Sequence, residues 1–148
     1  MNEIKKILVP VDFSENSQTI LKSAVGFARK FNAELQIVFV VQSFDDYSGF
    51  FVPHMPIAQF EDEMIQSAEK KMKSFVAESL EPSVPHRAKI LSGDVAEEIN
   101  AFAADNKSDL IIMGPHGYKG LEKVLFGSVA EKIVKTAPCP VLTINPYK

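Results

Sequence analysis

The chain predicts an α/β fold built on a parallel sheet with helices wound over both faces. Short apolar runs alternate with helical periodicity from one end of the sequence to the other. The run Glu34 to Val41 is largely apolar along its length, as a strand in a sheet buried on both faces requires. The helices between the runs are long enough to carry the right-handed crossovers that join parallel neighbours.

The first strand is Ile7-Leu-Val-Pro-Val11. Residues Ser17 to Phe31 form a helix, with Ile20, Leu21, Ala24, Ala28 and Phe31 on one face and Ser14 or Asn16 able to cap it. Glu34 to Val41 is a second, largely apolar strand. Residues 42–56 break the rhythm; their four aromatic side chains need an apolar home, at the rim of the core or on a lid or partner surface. Ile57 to Leu80 carries Phe60, Met64, Ala68, Met72, Phe75 and Val76 at three- and four-residue spacing, which is the core stripe of a long helix. Arg87 to Leu91 is the third strand. Asp94-Val-Ala-Glu97 is a capping box opening a helix that runs to about Ala104. Leu110–Met113, Ser128–Thr136 and Val141–Ile144 complete the series as strand, helix and strand.

A chain of 148 residues buries roughly two-thirds of its unfolded surface, enough for one domain over residues 1–148 without disulfide or metal. Hydrophobic and charged fractions of 46% and 24% are those of an ordinary globular protein. A formal net charge of -3 lacks the excess of Lys and Arg that marks a nucleic-acid partner. There is no apolar run long enough to cross a membrane and no secretory leader pattern, so a cytoplasmic protein is expected. The single cysteine, Cys139, sits between two prolines in an apolar stretch and reads as a structural thiol. His54 and His86 have no ligand-spaced partners, and Glu61-Asp-Glu63 reads as a solvated first turn of a helix rather than a metal cluster.

The chemistry concentrates in Gly114-Pro-His-Gly117, followed after nine residues by Gly127-Ser128. It lies between a strand and a helix. Such a crossover gathers unpaired N–H groups in front of the positive end of a helix dipole, and that suits an anion. Glycine serves there by reaching φ > 0 and by having no Cβ to hold the backbone off phosphate oxygens. Ser128 supplies a hydroxyl at or near the cap, His116 is a phosphate donor or a solvated side chain, and Pro115 removes one N–H. Asp12, just after the first strand, reads equally as a turn residue and as an acceptor for nucleoside hydroxyl or amino groups.

The spacing Gly-x2-Gly-x9-Gly-Ser resembles the ATP-binding signature of the universal stress protein family. The opening Lys6-Ile-Leu-Val-Pro-Val-Asp12-Phe-Ser14, the Gly93-Asp94 pair and the ending Ala137-Pro-Cys-Pro-Val-Leu-Thr-Ile144 also resemble that family, so essentially the whole chain is covered. The resemblance implies a five-stranded sheet of order 3-2-1-4-5 in a Rossmann-like, adenine nucleotide alpha-hydrolase-like fold. It implies a stress-response protein that binds ATP, or AMP or ADP, with Mg or Mn held through the phosphates. Pro10, Val11, Asp12, Val40, Val41 and Met113 would lie on the nucleoside side; Gly114, His116, Gly117, Gly127, Ser128 and Val129 would surround the phosphates. It implies a homodimer through Val141–Ile144 whose nucleotide occupancy modulates stability or a protein partner.

Other nucleotide arrangements are missing: there is no Gly-x4-Gly-Lys-Ser/Thr loop, no glycine in the turn after the first strand, no Ser-Gly-Gly run and no Gly-x-Ser-x-Gly elbow. No general base or acidic metal pair stands out, so the enzymatic alternative is at most slow ATP hydrolysis or autophosphorylation at Ser128 or His116.

Overall fold

The computed structural model describes residues 3–42, 57–115 and 127–147. In chain order these form β1 (Lys6–Pro10), α1 (Glu15–Phe31), β2 (Glu34–Gln42), α2 (Ile57–Ser79), β3 (His86–Gly93), α3 (Val95–Asp105), β4 (Leu110–Met113), α4 (Ser128–Thr136) and β5 (Val141–Thr143). The five strands make one parallel sheet in the order β3-β2-β1-β4-β5. This is the expected order.

Alternate side chains of each strand divide the core between the two faces. Ile7, Val9, Ile37 and Ile112 pack with Leu21 and Ala24 of α1 and Met72 and Phe75 of α2. Leu8, Val38, Ile111 and Met113 pack with Ile99 and Ala103 of α3 and Ala130 and Ile133 of α4. The chain steps outward through β1, β2 and β3 with its helices on one face. It then crosses back to β4 and β5 with its helices on the other, and right-handed crossovers demand that change of face when the direction of travel reverses.

Local signals set the element ends. The Ser14 side chain caps α1 by accepting from Ser17 N–H, and Asn32 ends the helix in the left-handed conformation. Asp94 caps α3 by accepting from Glu97 N–H at 3.1 Å. The Glu97 carboxylate lies 3.6 Å from Lys132 Nζ on α4, which ties the two helices of that face together. Val11 and Ile144, expected as strand ends, fall one residue beyond β1 and β5. Their N–H groups still donate to Val38 and Met113 across the sheet. Phe31 is a correction: it was expected on the buried face of α1 but is 39% exposed, stacking on Phe27 in the last turn as the chain swings into β2. No helix among the described residues is long and apolar enough to cross a membrane.

Candidate functional site

The winding reverses between β1 and β4, and open sheets of this kind carry their ligand crevice at the carboxyl edge of such a switch point. The register pairs Ile7 with Leu110 and Leu8 with Ile111; carried forward, it sets Pro10 against Met113 and Val11 against Gly114. On the other side β1 pairs Pro10 with Val38, so Val40 and Val41 of the longer β2 run on beside Asp12. The fold thus brings together the ends of β1, β2 and β4 that the sequence singled out.

What these residues offer the crevice is main chain. Val11, Val40, Val41 and Met113 are all buried; Val11 belongs to the core under α1 and α2, and Val40 and Met113 to the core under α3 and α4. Pro10 has no N–H.

Asp12 is held by the start of α1. Its Oδ1 accepts from Ser14 N–H at 3.0 Å, from the Ser17 hydroxyl at 2.7 Å and from the Ser14 hydroxyl, while its own N–H donates to Ser17 Oγ at 2.9 Å. This is the turn role considered for it, and it fixes the carboxylate at the lip of the crevice. An Asp followed two residues later by Ser is an Asx-turn signal that the sequence carries openly.

Phe13 takes the turn itself at φ 67, a left-handed conformation unusual for a bulky residue. Its ring stacks on Phe39 with centroids 4.5 Å apart and meets Phe75 edge-on at 5.6 Å. No local sequence signal marks this aromatic cluster, because Phe13 lies in the turn before α1, Phe39 in β2 and Phe75 in α2. The cluster forms one wall of an open cleft of about 670 Å3 that Asp12, Lys70 and Lys71 also line.

On the phosphate side, Gly127 N–H donates to the Pro115 carbonyl at 2.9 Å, joining the two ends of the glycine-bearing connection. Gly127 is the N-cap of α4 and no side chain caps that end. Ser128, expected at or near the cap, is the first helical residue and is exposed, and Val129 packs partly against the α3/α4 core. The first bond of the helix runs from Glu131 N–H to the Gly127 carbonyl. The N–H groups of Ser128, Val129 and Ala130 therefore have no acceptor within the helix. His116 and Gly117 lie outside the described residues, as do residues 43–56 with their aromatic side chains.

At Gly127 and Gly114 a positive φ is not the reason for glycine. Gly127 has φ -65 and ψ 156, open to any residue, so φ > 0 does not explain it. Gly114 also lies outside the left-handed region; a Cβ there would stand 2.7 Å from Ile20 Cδ1, so its absence lets β4 end against α1. Cys139 is half-buried at the edge of the α3/α4 core, and burial, with Asp109 second, raises its pKa above the ordinary value of 9.0. This fits a structural thiol.

The sequence profile of the universal stress protein family matches residues 3–145. The chain belongs to that family. It is 38% identical to universal stress protein MJ0531 of Methanocaldococcus jannaschii, over 99% of this chain and 85% of that one. Among solved structures, protein MJ0577 of the same organism superposes with a TM-score of 0.81 at 29% identity, covering 97% of both chains. Two more distant universal stress proteins share the fold and were solved with a nucleotide. One, from Archaeoglobus fulgidus, is in complex with dAMP (TM-score 0.58, 20% identity, 97% of this chain and 99% of that one). The other is in complex with cAMP (TM-score 0.63, 18% identity, 98% and 99%).

Proposed function

We propose that this universal stress protein binds ATP in the crevice between β1 and β4, as a small regulatory homodimer whose nucleotide occupancy modulates its stability or its choice of protein partner. The observation that carries the reading is the start of α4. A helix end without a side-chain cap, fixed by the Gly127-to-Pro115 bond beside the end of β4, presents main-chain donors and a positive dipole to an anion. The residues present suit a nucleotide. Ser128, Val129 and Ala130 would hold phosphate oxygens through their N–H groups, with Gly114, His116 and Gly117 on the same side. The main chain of Pro10, Val11, Val40, Val41 and Met113 would flank the base, and Asp12 would accept from the nucleoside. The dAMP and cAMP complexes of distant family members support an adenine nucleotide as the class of ligand. A divalent cation, Mg or Mn, would accompany ATP on its phosphates.

Main-chain donors of this kind grip a ground-state polyphosphate, whereas rate acceleration needs contacts that strengthen in the transition state. The proposed role is therefore occupancy rather than turnover. Mass spectrometry of protein denatured straight from purification should detect adenine nucleotide. Asp12→Ala should then weaken ATP by about 1–3 kcal/mol and inorganic triphosphate much less. Equal weakening of the two would remove Asp12 from the nucleoside side, and failure of the wild type to bind either would remove the reading itself.

The second half of the proposal is the dimer. Among the described residues β5 pairs only with β4, leaving its other edge for Val141–Ile144 of a second copy across a two-fold axis.

A further inference from the structure

At the opposite, amino-terminal end of the strands lies a second cleft, of about 510 Å3, between the sheet and the last turn of α3. Its floor holds Gln36, which is only 4% exposed although polar. Gln36 Oε1 accepts from the Ser108 hydroxyl, also buried, at 2.6 Å. With Oε1 held by that bond, the NH2 end of the amide has no hydrogen-bond partner among the described residues, and Gln36 lines the cleft. A largely buried side chain whose amide oxygen is already taken offers its NH2 as a fixed donor to an acceptor in the cleft.

The surroundings say which kind of acceptor. In the sheet register Gln36 lies between Leu8 and Arg87, and Leu8 and Gln36 face α3, so Arg87 at the next position across stands on the same face. Lys5, Lys6 and Glu34 also line the cleft; Lys5 Nζ lies 3.8 Å from the Glu3 carboxylate, and Asp109 Oδ2 accepts from the Lys5 and Lys6 main-chain N–H groups, so Arg87 is the cation that carries the anion preference. Lys6 Nζ reaches the Asn106 carbonyl at the end of α3, and Arg87 lies 3.9 Å from Glu34 with its side chain 83% exposed, which leaves its remaining donors available. Phe102 and Pro85 supply an apolar wall. The volume falls within the range of small-molecule sites.

We propose that this cleft binds a small organic carboxylate. Its oxygens would take the Gln36 amide and the Arg87 guanidinium, and its apolar body would lie against Phe102 and Pro85. The site is separate from the nucleotide crevice, at the other end of the same strands, and does not depend on it.

The test is a titration of the full chain with benzoate, followed by NMR of the Gln36 and Arg87 side-chain N–H signals, with inorganic phosphate as the competing anion. Saturable shifts with benzoate near or below about 1 mM are expected, with phosphate weaker. Arg87→Gln, at an exposed position that leaves the core intact, should weaken benzoate about tenfold. Gln36→Glu keeps the acceptor for Ser108 but removes the donor and adds a negative charge, and should abolish binding. Absence of saturable shifts, phosphate binding as tightly as benzoate, or benzoate affinity unchanged in Arg87→Gln would each overturn the proposal. ATP should leave these signals in place, so the result is independent of the nucleotide reading.

Discussion

Gly114→Ala tests whether this glycine exists for packing. The added Cβ would sit 2.7 Å from Ile20 Cδ1, where carbon atoms in contact stand about 3.5–4.0 Å apart. The backbone at Gly114 is not left-handed, so the substitution meets no conformational penalty and its whole cost is the collision. Ile20 is 6% exposed within the α1/α2 core, so its terminal methyl must retreat about 1 Å into packed neighbours. An off-rotamer side chain costs about 0.5–1.5 kcal/mol, and overpacking a core about 1–3 kcal/mol. A destabilisation of about 1–2 kcal/mol follows. Ile20→Val deletes the colliding methyl and by itself costs about 0.5–1.5 kcal/mol. Combined, the two changes should be less harmful than their sum by about 1 kcal/mol, since the clash no longer exists. Urea unfolding of the four proteins in the cycle measures this coupling. Additivity within about 0.3 kcal/mol would refute the packing argument.

Three further outcomes are expected. Gly93 has φ +142 and a Cβ there would meet Glu98 Cγ at 2.8 Å, so Gly93→Ala should cost about 1–3 kcal/mol. Glu98→Ala should relieve the collision but not the backbone strain, and full rescue in urea unfolding would contradict that division. The folded chain holds the Cys139 proton more tightly than the unfolded chain. That preference stabilises the fold below the ordinary thiol value of 9.0 and is lost as pH rises through the higher folded value. Iodoacetamide near pH 8 should accordingly label native protein more slowly than denatured protein, and equal rates would count against a shielded thiol. Ile144 N–H points to β4, so the alternation of a parallel strand turns the Thr143 N–H to the open edge. Thr143→Pro should convert a dimer to a monomer in light scattering, and a monomeric wild type would end the β5 pairing proposal.

Much of the fold was legible because its signals are local. Consecutive apolar residues marked β1, β2 and β4, and three- and four-residue spacing marked α1 and α2. The elements α4 and β4 fall on the expected residues, whereas β3, expected over Arg87–Leu91, spans His86–Gly93 with exposed and half-buried residues at the sheet edge. Helix caps were legible where a short polar side chain announces them, as at Ser14 and Asp94. Phe31 misled because periodicity says which residues share a helix face but not how far the sheet extends beneath it. The strand order rested on family resemblance, since no local pattern says which strands are neighbours, and the sheet has that order.

For the site, sequence spacing identified the right edge of the sheet but not the local reasons for its residues. Gly114 accommodates Ile20, and Asp12 is tied to Ser14 and Ser17; both depend on tertiary approach or turn geometry. The Phe13, Phe39 and Phe75 cluster and the Gln36 to Ser108 bond join elements far apart in the chain. Periodicity carries no signal for either.

Calorimetric titration of ATP into wild type and Gly127→Val tests the central claim most directly. Gly127 has a φ and ψ that valine readily adopts, so the apo protein should still fold, with a melting temperature lowered only by the poorer N-cap, a cost of about 1 kcal/mol. The account predicts saturable ATP binding by the wild type and its loss in Gly127→Val with the apo fold kept. Unchanged ATP affinity in the variant would contradict an ATP site at the start of α4.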